Sequence, residues 1–314
     1  MAVQGSAGAV ATVLVVAIVG VVGCSSAADE GVGTSEHASV VPGSHGVAAS
    51  SVDATSAASR SPIPLAKPGQ PGLVVGHRGN AAGAPEDTLA SEVSGQRLGA
   101  QVLEFDLHVT ADGVPVVMHD PTVDRTTNGF GSIASMTLAQ IERLDAGSSF
   151  SPAFAGIRVP TFEQILAFAS GTNAIILPEL KESLWTEQQV RTVVGLIRRY
   201  HMTARTMFQS FHVPVLKMAA RVAPDIARAA LVNQSMDDPV AYIRQFDGQG
   251  LLPNYRVVTR ALVSKLHTAG LSIMVWTVDD PAEWEKLTAY GVDGIMSDNP
   301  AELSGWIQRY RQSH

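Results

Sequence analysis

Seven polar side chains in this sequence have the types and spacing for cation binding and proton transfer. Glu104 and Asp106 alternate with apolar residues in the strand-like run "QVLEFDLHVT", and residues two apart on a strand share a face. Carboxylates on an apolar strand are costly to bury unless they are paired or hold a metal. The reading is one divalent cation on Glu104 and Asp106, with Glu179 of "AIILPEL" as a third carboxylate. A metal-free ion network with Arg78 or Lys181 is the alternative. Oxygen ligands without cysteine or a histidine cluster favour Mg2+ or Ca2+ over zinc. His77 and His119 fall at strand ends beside polar neighbours, and an imidazole titrates close to neutral pH, so they are read as a general acid/base pair. Arg78 and Lys181 offer a planar donor fork and a point charge, the pair a phosphate needs, and they also compensate the acids. Trp276 is read as pocket wall. His108 shares the acids' face but lies beside the turn Ala111-Asp112-Gly113 and is left out; His201, His212 and His267 are given no role.

The elements that must carry these residues alternate in type. From Leu73 onward, apolar runs ("LVVGHRG", "QVLEFDLHVT", "AIILPEL", "RTMFQSF", "ARAALV", "GLLPNYRVV", "LSIMVWTV", "GVDGIMSD") alternate with helix-period segments such as 87–98, 161–169, 186–200, 213–222, 259–269 and 281–290. This order predicts a (β/α)8 TIM barrel, with the polar residues gathered at the carboxyl ends of the strands, where such barrels place their chemistry. A doubly wound nucleotide-binding sheet is disfavoured, because "GHRGNAAG" lacks the glycine spacing of the dinucleotide loop. Residues 121–160 are long for a strand-to-helix loop and are expected to form a small insertion after the second strand region, over the mouth.

The net charge of −7 excludes a basic nucleic-acid-binding protein, and an anionic substrate must be held by local cations or a metal. Residues 7–22 form an apolar run that ends at Gly23-Cys24, too short for a membrane span and suited to a signal segment. Val21-Val22-Gly23-Cys24 resembles a bacterial lipobox, so 1–24 reads as a signal peptide with Cys24 as the lipidated residue, although no Lys or Arg precedes Arg60. The chain is then expected to be exported and held outside the cell membrane by an amino-terminal lipid anchor, or secreted if Cys24 is not lipidated. Residues 25–70, rich in Ser, Ala and Gly, read as a disordered tether to a folded domain at 71–314.

His77-Arg78, then 25 residues, Glu104-x-Asp106, then 12 residues, His119 resembles the signature of glycerophosphodiester phosphodiesterases. The likeness continues through "PEDT", "HDPTVDRTTNGFG", "LDAGSSFSPAFAGIRVPTFEQIL", "PELK", "FQSF", "WTV" and "GVDGIMSDNP", covering nearly everything from about 73 to 300. The resemblance implies a TIM barrel that hydrolyses glycerophosphodiesters to glycerol 3-phosphate and an alcohol with a divalent cation, often Ca2+ or Mg2+. It implies Glu104, Asp106 and Glu179 as metal ligands, His77 and His119 as acid and base, Arg78 and Lys181 as phosphate ligands, and Glu86 as a residue orienting the first-strand loop or the metal's surroundings. The insertion would cap the glycerol side. A phospholipase D-like action on lysophospholipids or sphingolipids is the alternative within enzymes, and a non-catalytic phosphodiester-binding lipoprotein the alternative outside them.

Overall fold

The computed structural model describes residues 60–181 and 184–314; the expected signal segment, Cys24 and the tether as far as residue 59 lie outside the described residues. In chain order the strands are β1 (Leu73–Gly76), β2 (Val102–Val109), β3 (Pro115–Val117), β4 (Ile175–Leu180), β5 (Met207–Ser210), β6 (Ala227–Val232), β7 (Gly250–Pro253), β8 (Ser272–Val275) and β9 (Gly294–Ser297). The helices are α1 (Leu89–Arg97), α2 (Leu138–Ile141), α3 (Phe162–Ser170), α4 (Glu187–Arg199), α5 (Val213–Val222), α6 (Pro239–Arg244), α7 (Arg260–Thr268), α8 (Pro281–Tyr290) and α9 (Pro300–Ser313). All strands but β3 run parallel, each bonded to the next, and β1 pairs with both β2 and β9, which closes an eight-stranded barrel. The expected (β/α)8 fold is present. β3 turns back antiparallel onto the part of β2 that rises above the rim, Leu107 facing Val117 and Val109 facing Pro115.

Alternation along each strand divides the core into two layers. Outward residues such as Leu103, Phe105 and Leu107 pack under the helices with Phe162, Ile165 and Val193. Inward residues Val75, Val102, Leu177, Met207, Met274 and Met296 meet in the middle and fill the barrel's amino-terminal half. The helices begin at side-chain caps: Thr161 and Thr186 form reciprocal capping boxes with Gln164 and Gln189, and Thr88 and Thr259 accept from the backbone three residues on. Proline at the first position of α6, α8 and α9 spares a donor that a helix leaves unpaired.

The segment expected to be tether is corrected at its carboxyl end. Residues 61–70 pack across the amino-terminal end of the barrel: Ile63 is buried against the inner plug, and the amides of Ala66 and Gly69 donate to Asp293 Oδ1 and the Thr288 carbonyl. One large apolar side chain in a stretch of small residues is enough to dock it. The run "GLLPNYRVV" is also shorter as a strand than expected, because Pro253 has no donor for the ladder and Tyr255–Val257 turn into a 3-10 helix. Within β4, Pro178 likewise offers no donor; the Gln209 side chain reaches past it to the Leu177 carbonyl at 3.3 Å. The insertion has a small core of its own, in which Val123, Ile133, Ile141 and Val159 close over Val116 and Met118.

Candidate active site

The site is the inward face of the strands carried one step above the plug. Adding two to each plug residue converts Val75 to His77, Val102 to Glu104 and then Asp106, Leu177 to Glu179 and then Lys181, Met207 to Gln209, Met274 to Trp276, and Met296 to Asp298. Register brings the acids together, since Asp106 pairs with Glu179, and Glu179 with Gln209.

Glu104, Asp106 and Glu179 are all buried, and one oxygen of each lies within 4.8 Å of the others. Glu104 accepts from the Arg78 backbone N–H at 2.9 Å and from Gln209 Nε2 at 2.7 Å. Lys181 Nζ stands 3.4 Å from Asp106 and 3.3 Å from Glu179. Burial, then the charge of Asp106, pushes Glu104 up to about 7 and Glu179 up to about 9. Burial also opposes the charge on Asp106, but Lys181 and Arg78 outweigh it and hold this carboxyl below its usual range. Three acids this close cannot all ionise unaided. Asp106 Oδ2 is buried and makes no hydrogen bond, with Arg78 Nε 3.4 Å away as its one ion-pair contact among the described residues. An all-oxygen donor set with a spare buried oxygen and more carboxylates than its cations balance fits one hard divalent ion.

The two histidines have opposite settings. His77 Nδ1 lies 2.6 Å from Asp298 Oδ1; burial lowers its basicity, but the Asp298 hydrogen bond and the Glu104 charge leave the imidazole above its ordinary pKa. His119 Nδ1 lies 2.7 Å from Asp120 Oδ1, and here burial, helped by Arg78 and Lys181, leaves the imidazole below it. Both are near enough to Asp106 to depress its pKa. Asp120 is itself tied up: Arg125, from the insertion, donates to it from Nε at 2.7 Å and from Nη2 at 3.1 Å, and this hydrogen bonding keeps Asp120 well below the carboxylate range. The same guanidinium reaches Glu86 at 2.7 and 2.9 Å, and Glu86 accepts from Arg78 Nη1 at 2.8 Å.

The loop after β1 is built for this. Arg78 adopts a left-handed conformation (φ 50°) that aims its amide at Glu104, and its carbonyl accepts from Ser91 Oγ. Gly79 follows at φ 84°, pressed onto α1 where a Cβ would come 2.4 Å from the Ser91 carbonyl carbon. Asp87, buried, accepts the Asp106 amide at 3.1 Å and so fixes the rim of β2 to the same loop.

Every residue proposed from sequence at the mouth falls there. Glu86 contacts Arg78 and Arg125 rather than the carboxylate cluster. Trp276 Nε1 donates to the Leu252 carbonyl at 2.7 Å, and its ring packs edge-on against Phe211. His108 stays outside the cluster but holds the His119 carbonyl at 3.1 Å. From the sequence alone Asp298, Arg125 and Gln209 are given no role, nor is Asp120 beside His119. The step-of-two rule from Met296 and Met207 finds Asp298 and Gln209, and adjacency to His119 finds Asp120. Arg125 lies within the stretch "HDPTVDRTTNGFG", but its partners, five and 39 residues away, give it no role by spacing.

The match to known proteins spans the barrel. Residues 77–302 match the model of the "Glycerophosphoryl diester phosphodiesterase family". A glycerophosphodiester phosphodiesterase of Caldanaerobacter subterraneus is 32% identical over 238 residues, covering 76% of this chain and 98% of the relative. Among solved structures, a phosphodiesterase of Oleispira antarctica in complex with the product sn-glycerol-3-phosphate is similar with a TM-score of 0.72 at 28% identity, over 76% of this chain and 97% of that one. A glycerophosphodiester phosphodiesterase of Agrobacterium tumefaciens gives 0.66 at 29% identity, over 74% and 99%. With three quarters of its length shared and its inward-facing acids, histidines and cations in the motif's order, the chain belongs to the glycerophosphoryl diester phosphodiesterase family.

Proposed function

We propose that this protein hydrolyses glycerophosphodiesters to glycerol 3-phosphate and an alcohol at the mouth of the barrel. The observation that carries this reading is the pair of histidine–aspartate couples beside the buried carboxylate cluster. Glu104, Asp106 and Glu179 would hold a divalent cation, Mg2+ or Ca2+, which would supply Lewis-acid polarisation to the bound phosphodiester. Arg78 and Lys181 take the remaining phosphoryl charge and orient the diester. His119, neutral, keeps a free lone pair on Nε2 while Nδ1–H is donated to Asp120, so it removes the proton of the nucleophile, whether water or the glycerol 2-hydroxyl. His77, whose hydrogen bond to Asp298 favours the protonated form, gives its Nε2 proton to the departing alkoxide. Trp276 and Phe211 wall the pocket.

The expected export signal and Cys24 anchor support placing this reaction outside the cell membrane, with glycerophosphodiesters as the small-molecule partner. A passive phosphodiester binder has no use for two oriented histidines. The test incubates the protein with glycerophosphocholine, with and without EDTA, with Ca2+ or Mg2+ added back, and follows glycerol 3-phosphate. Release that is lost with EDTA, restored by the ion and absent in His77→Ala is expected. Release that EDTA leaves intact would falsify the cation role, and no release under any ion would remove the reaction class.

A further inference from the structure

Apolar side chains are distributed unequally between the two ends of the barrel. Among the described residues seven large hydrophobics are exposed, and five of them, Leu89, Phe130, Phe150, Leu184 and Phe211, follow the carboxyl ends of β1, β3, β4 or β5 at the mouth. The other two, Leu65 and Leu98, lie at the opposite end. Phe130 is 85% exposed and Leu184 86%, values that leave these side chains in water unless something covers them. Phe130 sits at the tip of a fixed turn: Val123 N–H donates to the Gly131 carbonyl at 3.0 Å, Gly131 N–H to Asp124 at 2.7 Å, and Thr122 bridges Ser132. Phe150 is bound to the same loop through Ser149 Oγ, 2.8 Å from the Thr126 carbonyl. Phe211 leans on Trp276 at the pocket wall.

The chain itself indicates the occupant. An apolar run at 7–22 ends in Gly23-Cys24, and 35 residues separate Cys24 from the first described residue. A chain of that length reaches at most roughly 115–125 Å, whereas a domain of this size has a radius of gyration of about 18 Å. The segment enters at the end away from the mouth, and its reach suffices for either end to meet the surface that carries the anchor. Exposed Phe and Leu side chains are the kind that settle into the headgroup–acyl boundary of a bilayer. We propose that the mouth docks on a lipid surface through Phe130, Phe150, Leu184 and Phe211, so that the pocket receives phosphodiesters presented at that surface, including those bearing an acyl chain. The inference rests on the proposed anchor and, for its substrates, on the proposed hydrolysis.

The experiment places reporters at the two ends of the full-length protein: Phe130→Trp at the mouth and Leu65→Trp at the opposite end, with the wild type setting the background of its native tryptophans. Vesicles of phosphatidylcholine with brominated acyl chains quench indole that enters the acyl boundary. The proposal expects the added emission of F130W to fall at least about twofold more than that of L65W. Equal quenching, or none, overturns it, as does a blue shift of F130W that tracks protein concentration without lipid and marks a protein contact. In parallel, F130S/L184S should hydrolyse soluble glycerophosphocholine as the wild type does and lose about tenfold on lysophosphatidylcholine in vesicles. An equal rate on both substrates overturns the docking role. A wild type that hydrolyses neither substrate removes the hydrolase reading while the quenching result still decides the docking.

Discussion

The two halves of the barrel interior are built from the same strands and differ by two residues of register. Below, Val75, Val102, Leu177, Met207, Met274 and Met296 exclude water and are sealed by Ile63; above, the next inward residues are acids, a histidine, a glutamine, a tryptophan and a lysine. The lower half gains stability from burial. The upper half gives stability up, since Glu104 and Glu179 are held in a place where their charged forms are disfavoured. Stability and chemistry are therefore separable along a strand, and substitutions should sort by which side of that step they fall on.

The largest effects should be kinetic and confined to the upper half. His77→Ala and His119→Ala are each expected to lower kcat by roughly 10^2 to 10^4 with an unchanged urea midpoint. A similar loss of stability in both variants would break the separation. The mirror case is Ile63→Ala, expected to cost about 2–5 kcal/mol in urea unfolding while leaving kcat and KM of the folded enzyme as they are. A fall in kcat would mean that the plug also tunes the site.

That lower boundary was the part of the fold least legible in the sequence. The alternation of runs gave eight barrel strands, because fully buried strands must be continuously apolar and the helices between them are periodic. Residues 61–70 look like linker by composition, and only tertiary contacts of Ile63 and Ala66 reveal them as a seal. Within the site, Glu104, Asp106, His77 and His119 stood out because polar residues interrupt apolar strands. Asp298 follows β9 directly, yet an acidic side chain after a strand reads as an ordinary helix-starting residue until the imidazole is seen 2.6 Å away. Arg125 sits in a loop whose path no local pattern dictates.

Protonation should sharpen the comparison further. Carboxyls whose folded pKa lies above the unfolded value bind more protons folded than unfolded, so the ion-free protein should lose stability as pH rises from about 4.5 through about 7 and about 9. A divalent ion must displace those protons, so its affinity and its effect on Tm should both increase with pH over that window, with protons released on binding. Thermal scans at pH 6 and pH 9, with EDTA or with Ca2+, measure this. An ion effect larger at pH 6 would contradict the assignment of Glu104 and Glu179.

The smallest expected effect concerns the insertion. Arg125→Ala should free both Asp120 and Glu86, lowering kcat about tenfold and raising the apparent pKa of the acidic limb that reports His119. Arg125→Lys, which keeps one charge without the fork, should restore only part of it. An unaltered pH profile with unchanged kcat would show that His119 is positioned by Asp120 and His108 alone.

The most direct test of the central claim is calorimetric titration of Ca2+ or Mg2+ into the EDTA-stripped wild type and into Asp106→Asn, with glycerophosphocholine hydrolysis followed in the same samples. The account predicts one ion per chain and ion-dependent turnover in the wild type, and neither in the variant. Undiminished ion binding by Asp106→Asn, or turnover by the stripped wild type, would contradict it.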